Sequence, residues 1–236
     1  MSNTYFQFKQ FKIEQDKCAM KVCTDSCLFG AWLHVEENVK TILDIGCGTG
    51  LLTLMLAQKS AAKIDAVEID SSAYLQAKQN IESSIFSNNI SIFNEDILQF
   101  SAHEKYDFIV CNPPFYENEK VSETHGEKLA KHSLKLTLEN LIQKIKKLLH
   151  TNGKFAILLP YFRAIEFENK CNTNQLYIER KLLLKQTPTH TYFRVCYMVG
   201  LQKTNEIQLD TLTIKDENNE YTSSFISLLK PYYLSL

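Results

Sequence analysis

Two short segments hold side chains whose types and spacing could do chemistry. The first, Asn112-Pro113-Pro114-Phe115, offers an amide oxygen, a stiffened main-chain carbonyl and a flat ring in consecutive residues. That set suits an exocyclic amine on a planar ring. The lone pair of such an amine is delocalised, so the nitrogen attacks only once it is drawn toward tetrahedral geometry. The Asn112 carbonyl can accept one N–H and the Pro113 main-chain carbonyl the other, and the paired prolines stiffen the turn that aims it. Phe115 supplies a face on which a planar substrate stacks. No acid, histidine or thiol stands in the tetrapeptide with a required role, so its electrophile must be strong enough to need no general base. Cys111, next to it, reads as the buried end of a strand.

The second segment is Asp44-Ile45-Gly46-Cys47-Gly48-Thr49-Gly50. Glycines between a strand and a helix let the backbone approach a ligand closely and adopt dihedrals closed to other residues. Asp44, ahead of them, can bond the ammonium of an amino-acid moiety. Glu68 follows Gly46 by 22 residues, a position from which a carboxylate reaches ribose hydroxyls; a solvated strand-end carboxylate is the competing reading.

The elements that must hold these residues alternate short apolar runs with helical periodicity, which predicts βαβ units and a parallel sheet. Residues 41–45 form a first strand and 51–59 a helix; 64–69, 90–93 and 108–111 are the next three strands. Asp70 is placed to cap a helix carrying Ala73, Ala77 and Ile81. Leu134, Leu138, Leu141, Ile142, Ile145, Leu148 and Leu149 draw one helix face over residues 134–149, with Gly153 ending it and 154–159 as strand five. Residues 176–185 and 191–202 read as an antiparallel pair about Pro188-Thr189-His190, 215–220 as a loop and 222–229 as a short helix. Residues 1–33 hold too many apolar side chains for a disordered tail, among them Phe6, Phe8, Phe11, Ile13, Met20, Leu28, Phe29 and Trp32. They read as an arm packed on a single domain that spans 1–236.

A chain of 236 residues with 44% hydrophobic and 22% charged residues can bury a substantial core. A net charge of −1 excludes a uniformly basic nucleic-acid binder but leaves room for a local basic face. The polar N-terminus has no apolar signal region and no run reaches membrane-spanning length, so a cytoplasmic protein with no membrane partner is expected. The seven cysteines are then expected as reduced thiols. Cys18, Cys23 and Cys27, with His34, fit no common zinc spacing, and no metal is expected.

The glycine segment resembles motif I of Rossmann-like methyltransferases, not the G-x-G-x-x-G of nicotinamide enzymes. Asn112-Pro113-Pro114-Phe115 resembles their motif IV, shared by adenine-N6, guanine-N2 and glutamine-N5 methyltransferases. The resemblance implies a class I α/β fold with a mostly parallel seven-stranded sheet ending in an antiparallel hairpin. It implies S-adenosylmethionine as cofactor, whose sulfonium methyl is a strong electrophile. Asp44, Gly46, Gly48, Gly50, Glu68, Asp96 and Asn112 would bind it, and Asn112, Pro113 and Phe115 would carry catalysis. Asp96 falls where that family bonds the adenine amine; a helix N-cap is the other reading.

The N-terminal arm is the more specific part. Phe8-Lys9-Gln10-Phe11, Gln15-Asp16, Cys18-Ala19-Met20-Lys21-Val22, Thr24-Asp25 and Leu28-Phe29-Gly30-Ala31-Trp32 resemble the arm of the bacterial tRNA1(Val) adenine-N6 methyltransferases. The likeness continues through Glu68-Ile69-Asp70, Ala130-Lys131-His132 and the tail at Tyr221-Thr222, Leu228 and Tyr233-Leu234. It implies an adenosine substrate in tRNA, the one 3′ of the anticodon, bound by a monomer that takes no DNA. Lys21, Lys128, Lys131, His132 and Arg194 are the candidate RNA contacts, with Lys135 and the hairpin cations Arg180, Lys181, Lys185 and His190 beside Tyr192 and Phe193. Lys131 stands where relatives often have arginine, which keeps the charge but loses a bidentate phosphate grip. Lys144, Lys146 and Lys147 read as the solvated face of a helix. Guanine-N2 methylation of ribosomal RNA, glutamine-N5 methylation of a protein and a non-catalytic RNA-binding module stay open. The protein methyltransferases usually carry tyrosine at the fourth motif position and a separate helical domain. Intact Asp44, Glu68 and Asn112 argue against a degenerate module.

Overall fold

Ile42-Leu43-Asp44-Ile45 is buried on both faces, as the central strand of a parallel sheet must be, and this is why it reads as a nearly continuous apolar run. The computed structural model describes residues 3–18, 21–113, 136–204 and 206–236. Its strands are β1 (Tyr5–Gln7), β2 (Lys12–Glu14), β3 (Thr41–Ile45), β4 (Lys63–Glu68), β5 (Ile90–Asn94), β6 (Tyr106–Cys111), β7 (Leu149–Pro160), β8 (Tyr177–Lys185), β9 (Tyr192–Gly200) and β10 (Gln208–Thr213). The described helices are α1 (Thr24–Trp32), α2 (Leu51–Lys59), α3 (Ser71–Glu82), α4 (Leu138–Leu148), α5 (Ala164–Thr173) and α6 (Ser223–Leu229).

The main sheet has eight strands in the order β10-β8-β9-β7-β6-β3-β4-β5, while β1 and β2 pair separately. Every neighbouring pair is parallel except those made by β9, which runs against β7 and β8. The sheet is thus one strand wider than the seven expected. β10 joins β8 in parallel, with Leu212 opposite Leu184. Leu212 is its one buried side chain, so hydropathy carries almost no signal for this edge strand.

Alternate strand residues feed two cores. Ile42, Phe108, Ala156 and Cys196 pack with α1, α2 and α6 on one face. Leu43, Ile109, Phe155 and Tyr197 pack with α4 and α5 on the other. The side chains of Asp70 and Thr137 cap α3 and α4, accepting from Ala73 N at 2.8 Å and Asn140 N at 3.1 Å. Leu138, Leu141, Ile142, Ile145 and Leu148 form the buried face of α4; Leu134 lies outside the described residues. Gly153 does not end this helix, which stops at Leu148; it sits inside β7. Pairing there jumps from Tyr106–Leu149 to Phe108–Lys154, and a Cβ on Gly153 would stand 2.9 Å from the Tyr106 carbonyl oxygen. Close backbone approach is what requires glycine at that bulge.

The arm is packed as expected. Phe8, Phe11, Ile13, Leu28, Phe29 and Trp32 are buried in the first core, and Phe8 bridges to Tyr233 near the other end of the chain. Met20 lies outside the described residues. Two buried amides of α3 fasten the arm. Asn80 donates to the carbonyls of Glu14 and Thr49 and accepts from Glu14 N, each at 2.9 Å. Gln76 accepts from Lys17 N at 2.8 Å. The Lys59 ammonium donates to the carbonyls of Gly30, Ala31 and Leu33 at 2.7, 3.2 and 2.7 Å, satisfying the end of α1, and burial lowers its pKa to about 8. Among the described residues no helix is long and apolar enough to cross a membrane.

Asn80 joins the arm to the glycine turn, so Asn80→Ala leaves two carbonyls and one N–H without their partner. Urea unfolding should show a loss of roughly 2–4 kcal/mol, seen as a lower midpoint at unchanged slope.

Candidate active site

β3 is the switch point of the sheet, with the chain returning as β4 on one side and β6 on the other. Ligands of open α/β sheets bind in the crevice beyond such strand ends. Register makes the crevice level: Ile45 pairs with Val67 and with Cys111. The next residues along the chain from those three positions are Gly46, Glu68 and Asn112. Three segments of distant sequence are therefore delivered to one rim.

The glycine turn has φ of +68°, +56° and +82° at Gly46, Gly48 and Gly50, a region that favours glycine. Gly46 N and Cys47 N donate to the Val67 carbonyl at 2.8 and 3.2 Å, tying the turn to β4. Among the described residues a Cβ on Gly46 or Gly48 would meet no atom within 4 Å, so there the backbone borders open space.

Asp44 is fully buried. Its Oδ2 accepts from the Thr53 hydroxyl at 2.6 Å, and its Oδ1 has no hydrogen-bond partner among the described residues. Burial pushes the carboxyl up to about 7, with Thr53 opposing and Glu68 adding to the rise. Such a group is poised to take a cationic partner. Glu68 is not a solvated strand-end carboxylate. It is 7% exposed, accepts from Gly48 N at 2.8 Å and from Asp70 N at 2.9 Å, and burial raises its pKa against those bonds. It braces the glycine turn directly. Thr53 was not singled out from sequence, although a lone hydroxyl in Leu-Leu-Thr-Leu-Met-Leu was the available signal. Asp96 caps a turn, not a helix. Its Oδ1 accepts from Leu98 N, and its main-chain carbonyl from Gln99 N and Phe100 N, all at 2.8 Å.

Asn112 and Pro113 leave the end of β6 beside the buried Cys111, whose thiol burial raises well above its ordinary value. Asn112 Nδ2 donates to the Ser26 hydroxyl at 2.9 Å. Ser26 lies on α1, so the arm touches the Asn112-Pro113 segment directly. No sequence pattern marked Ser26. Pro114 and Phe115 lie outside the described residues, as do Lys128, Lys131, His132 and Lys135.

The hairpin does not present its cations as one patch. Arg180 pairs with Asp210 at 3.4 Å and lies over Trp32; Lys181 pairs with Glu168 at 2.5 Å. Arg194, expected at phosphate, is engaged by the Asp25 carboxylate of α1 at 2.7 Å. The cation holds the arm through that contact. Lys185, over Tyr192, and His190 remain at the strand-end rim, and Lys21 is exposed just ahead of α1. Lys144 and Lys146 are not simply solvated either; they donate to the carbonyls of Phe100 and Asn174 at 2.7 and 2.6 Å.

The fold is shared with a predicted O-methyltransferase of Agrobacterium tumefaciens, at a TM-score of 0.63 and 16% identity over 87% of this chain and 95% of that one. Sheet order and the switch-point glycine turn define the Rossmann-like class I S-adenosylmethionine-dependent methyltransferases. A model of the methyltransferase small domain matches residues 24–167, which contain Asp44, the glycine turn, Glu68 and Asn112. A relative from Trichodesmium erythraeum is 41% identical over 99% of both chains, and one from Dyadobacter fermentans 39% over 98% of both; each is named tRNA1(Val) (adenine(37)-N6)-methyltransferase. This chain belongs to that family.

The buried Asp44 carboxyl has a definite pH signature. Its folded pKa, about 7, stands above the unfolded 3.8. Its contribution to stability is therefore present below the unfolded value and is lost as pH rises through 7. Asp44→Asn removes that slope: without ligand, the variant should gain in Tm over the wild type more at pH 8 than at pH 5. Calorimetric scans at the two pH values check it.

Proposed function

We propose that this chain transfers the methyl group of S-adenosylmethionine to the exocyclic N6 of an adenosine in tRNA, the one 3′ of the anticodon in tRNA1(Val). One observation carries the reading: relatives bearing that name match nearly the whole chain, arm included. The reading extends to a cytoplasmic monomer.

The residues present suit the cofactor. Asp44 Oδ1, unpartnered among the described residues, suits the ammonium of its amino-acid moiety, and the space those residues leave over Gly46 and Gly48 admits its backbone-bound part. Glu68 keeps acceptor capacity for ribose hydroxyls beyond its two backbone bonds. Asp96 is assigned to the adenine amine. When bound, the cofactor supplies a sulfonium methyl, an electrophile that needs no further activation.

The chain's own task is to prepare the nitrogen. Asn112 directs its amide N–H end to Ser26, which assigns the carbonyl end to one N–H of the substrate amine. The Pro113 main-chain carbonyl takes the other. Two acceptors so placed draw the lone pair out of conjugation and toward the methyl. The displaced proton leaves to solvent after transfer. Phe115 is the stacking surface in this scheme. A loop adenosine is already partly unstacked, so drawing it to the rim costs less than extracting a paired base. Lys21, Lys128, Lys131 and His132 are assigned to the surrounding phosphates.

Asp44→Ala or Glu68→Ala should weaken cofactor binding about tenfold or more, measured by calorimetry. Asn112→Ala should keep that affinity and lose on the order of 10²–10³ in single-turnover rate. The substrate test offers unmodified tRNA, ribosomal RNA, DNA and release-factor protein separately with labelled cofactor. N6-methyladenosine in tRNA is the expected product. Label in ribosomal guanine or in protein glutamine, with tRNA untouched, would overturn the substrate.

A further inference from the structure

We propose that Ser26, held in place by Asp25 and Arg194, is a positioning residue that fixes which end of the Asn112 carboxamide faces the substrate amine. The inference rests on the amine-gripping role given to Asn112 above and adds the device that sets its orientation. A free asparagine side chain presents its carbonyl or its NH2 with similar ease, and only the carbonyl can accept from the substrate. Something must break that symmetry.

The chain of contacts does so. Asn112 Nδ2 stands 2.9 Å from Ser26 Oγ, and Ser26 Oγ stands 2.9 Å from Cys23 Sγ. Asp25 hydrogen-bonds the Cys23 thiol, and burial together with that carboxylate pushes the thiol up to about 11, so it carries its proton at neutral pH. With the S–H given to Asp25, the sulfur accepts from the Ser26 hydroxyl. The Ser26 oxygen, its proton so committed, can only accept from Asn112. An inverted carboxamide would set oxygen against oxygen with no hydrogen between them.

The far end is fastened on both sides. Asp25 Oδ1 accepts from Ser26 N at 3.1 Å and Oδ2 from Arg194 Nε at 2.7 Å. Ser26 is 5% exposed and Asp25 9%, so water competes little for these contacts. Arg194 sits opposite Pro160 at the end of β7. The orientation of one amide just beyond β6 is thus held by a helix of the arm that is itself pinned to β9.

The test has a structural and a kinetic arm. In nitrogen-15-labelled protein, the Asn112 side-chain amide, assigned by its loss in Asn112→Ala, should exchange slowly with solvent. Ser26→Ala should speed that exchange, while Ser26→Thr, which keeps the hydroxyl, should restore it. With unmodified tRNA1(Val), Ser26→Ala should slow single-turnover methylation about tenfold at unchanged cofactor affinity. In the Asn112→Ala background the same substitution should cost nothing further, because it acts through Asn112. Arg194→Gln, which reaches Asn112 only through Asp25 and Ser26, should give a smaller loss of the same kind. Unchanged amide exchange in Ser26→Ala, or equal losses in both backgrounds, would overturn the inference. A restrained Asn112 amide in a protein that methylates no RNA overturns the proposed substrate and leaves the positioning role standing.

Discussion

Parallel pairing on both sides of β3 is the constraint on which the rest depends. Parallel strands end in the same direction, so their C-terminal residues gather along one edge, and the register of Ile45 with Val67 and Cys111 makes that edge level. The glycine turn, Glu68 and Asn112 come from positions spread over more than sixty residues, yet each simply occupies the C-terminal end of its strand or the turn just beyond it. Helices must then cover both faces, since a parallel sheet leaves neither to water. The two cores and the antiparallel β9, which lets β8 and β10 extend the same sheet, arise from that need.

Building a polar site at such an edge requires charged and amide groups to be buried, and the protein keeps nearly every one of them satisfied. Asn80 meets three backbone groups, Glu68 two and Lys59 three. Asp44 Oδ1 is one of the few buried side-chain atoms without a partner among the described residues, with Gln58 Oε1, Gln76 Nε2, Arg180 Nε and Trp32 Nε1, and the Asp44 carboxyl is raised to about 7. An unsatisfied buried carboxylate destabilises the unliganded fold and favours whatever cation completes it. Here a loss in stability and a gain in affinity have the same origin.

Local chemistry was legible in the sequence; contacts between distant segments were not. The glycine turn, the Asp70 cap and the apolar face of α4 depend on neighbours a few residues away; the first two stand as read, and the third does from Leu138 to Leu148, while Leu149 opens β7. β10 escaped notice because an edge strand with one buried side chain has no hydropathic period. Gly153 was misplaced because its reason, the nearby Tyr106 carbonyl, lies across the sheet. α5 buries Ala164, Phe167 and Cys171 at helical spacing and could have been read. Ser26 and Asp25 look like ordinary residues of an apolar arm until Asn112 and Arg194 are brought to them. The hairpin cations were legible as charges but not their partners: Arg180, Lys181 and Arg194 find carboxylates that only the tertiary fold supplies.

The bridge between Phe8 and Tyr233 bears on how the molecule is made. The Lys9 N–H bonds the Tyr232 carbonyl at 2.8 Å and its ammonium the Lys230 carbonyl at 2.6 Å, while Asp25 waits for Arg194. A nascent chain emerges with the arm ahead of these partners, which follow it by 169 residues for Asp25 and Arg194 and by 221 for Lys9 and Lys230. The βαβ units around β3 have their local contacts earlier, whereas contacts of such long sequence separation close late. The arm is synthesised before these partners and seated only after them. Its seating brings Ser26 to Asn112, so that contact forms only once segments 169 and 221 residues downstream have been made, and a chain that stops short of them lacks the contact that orients its amide.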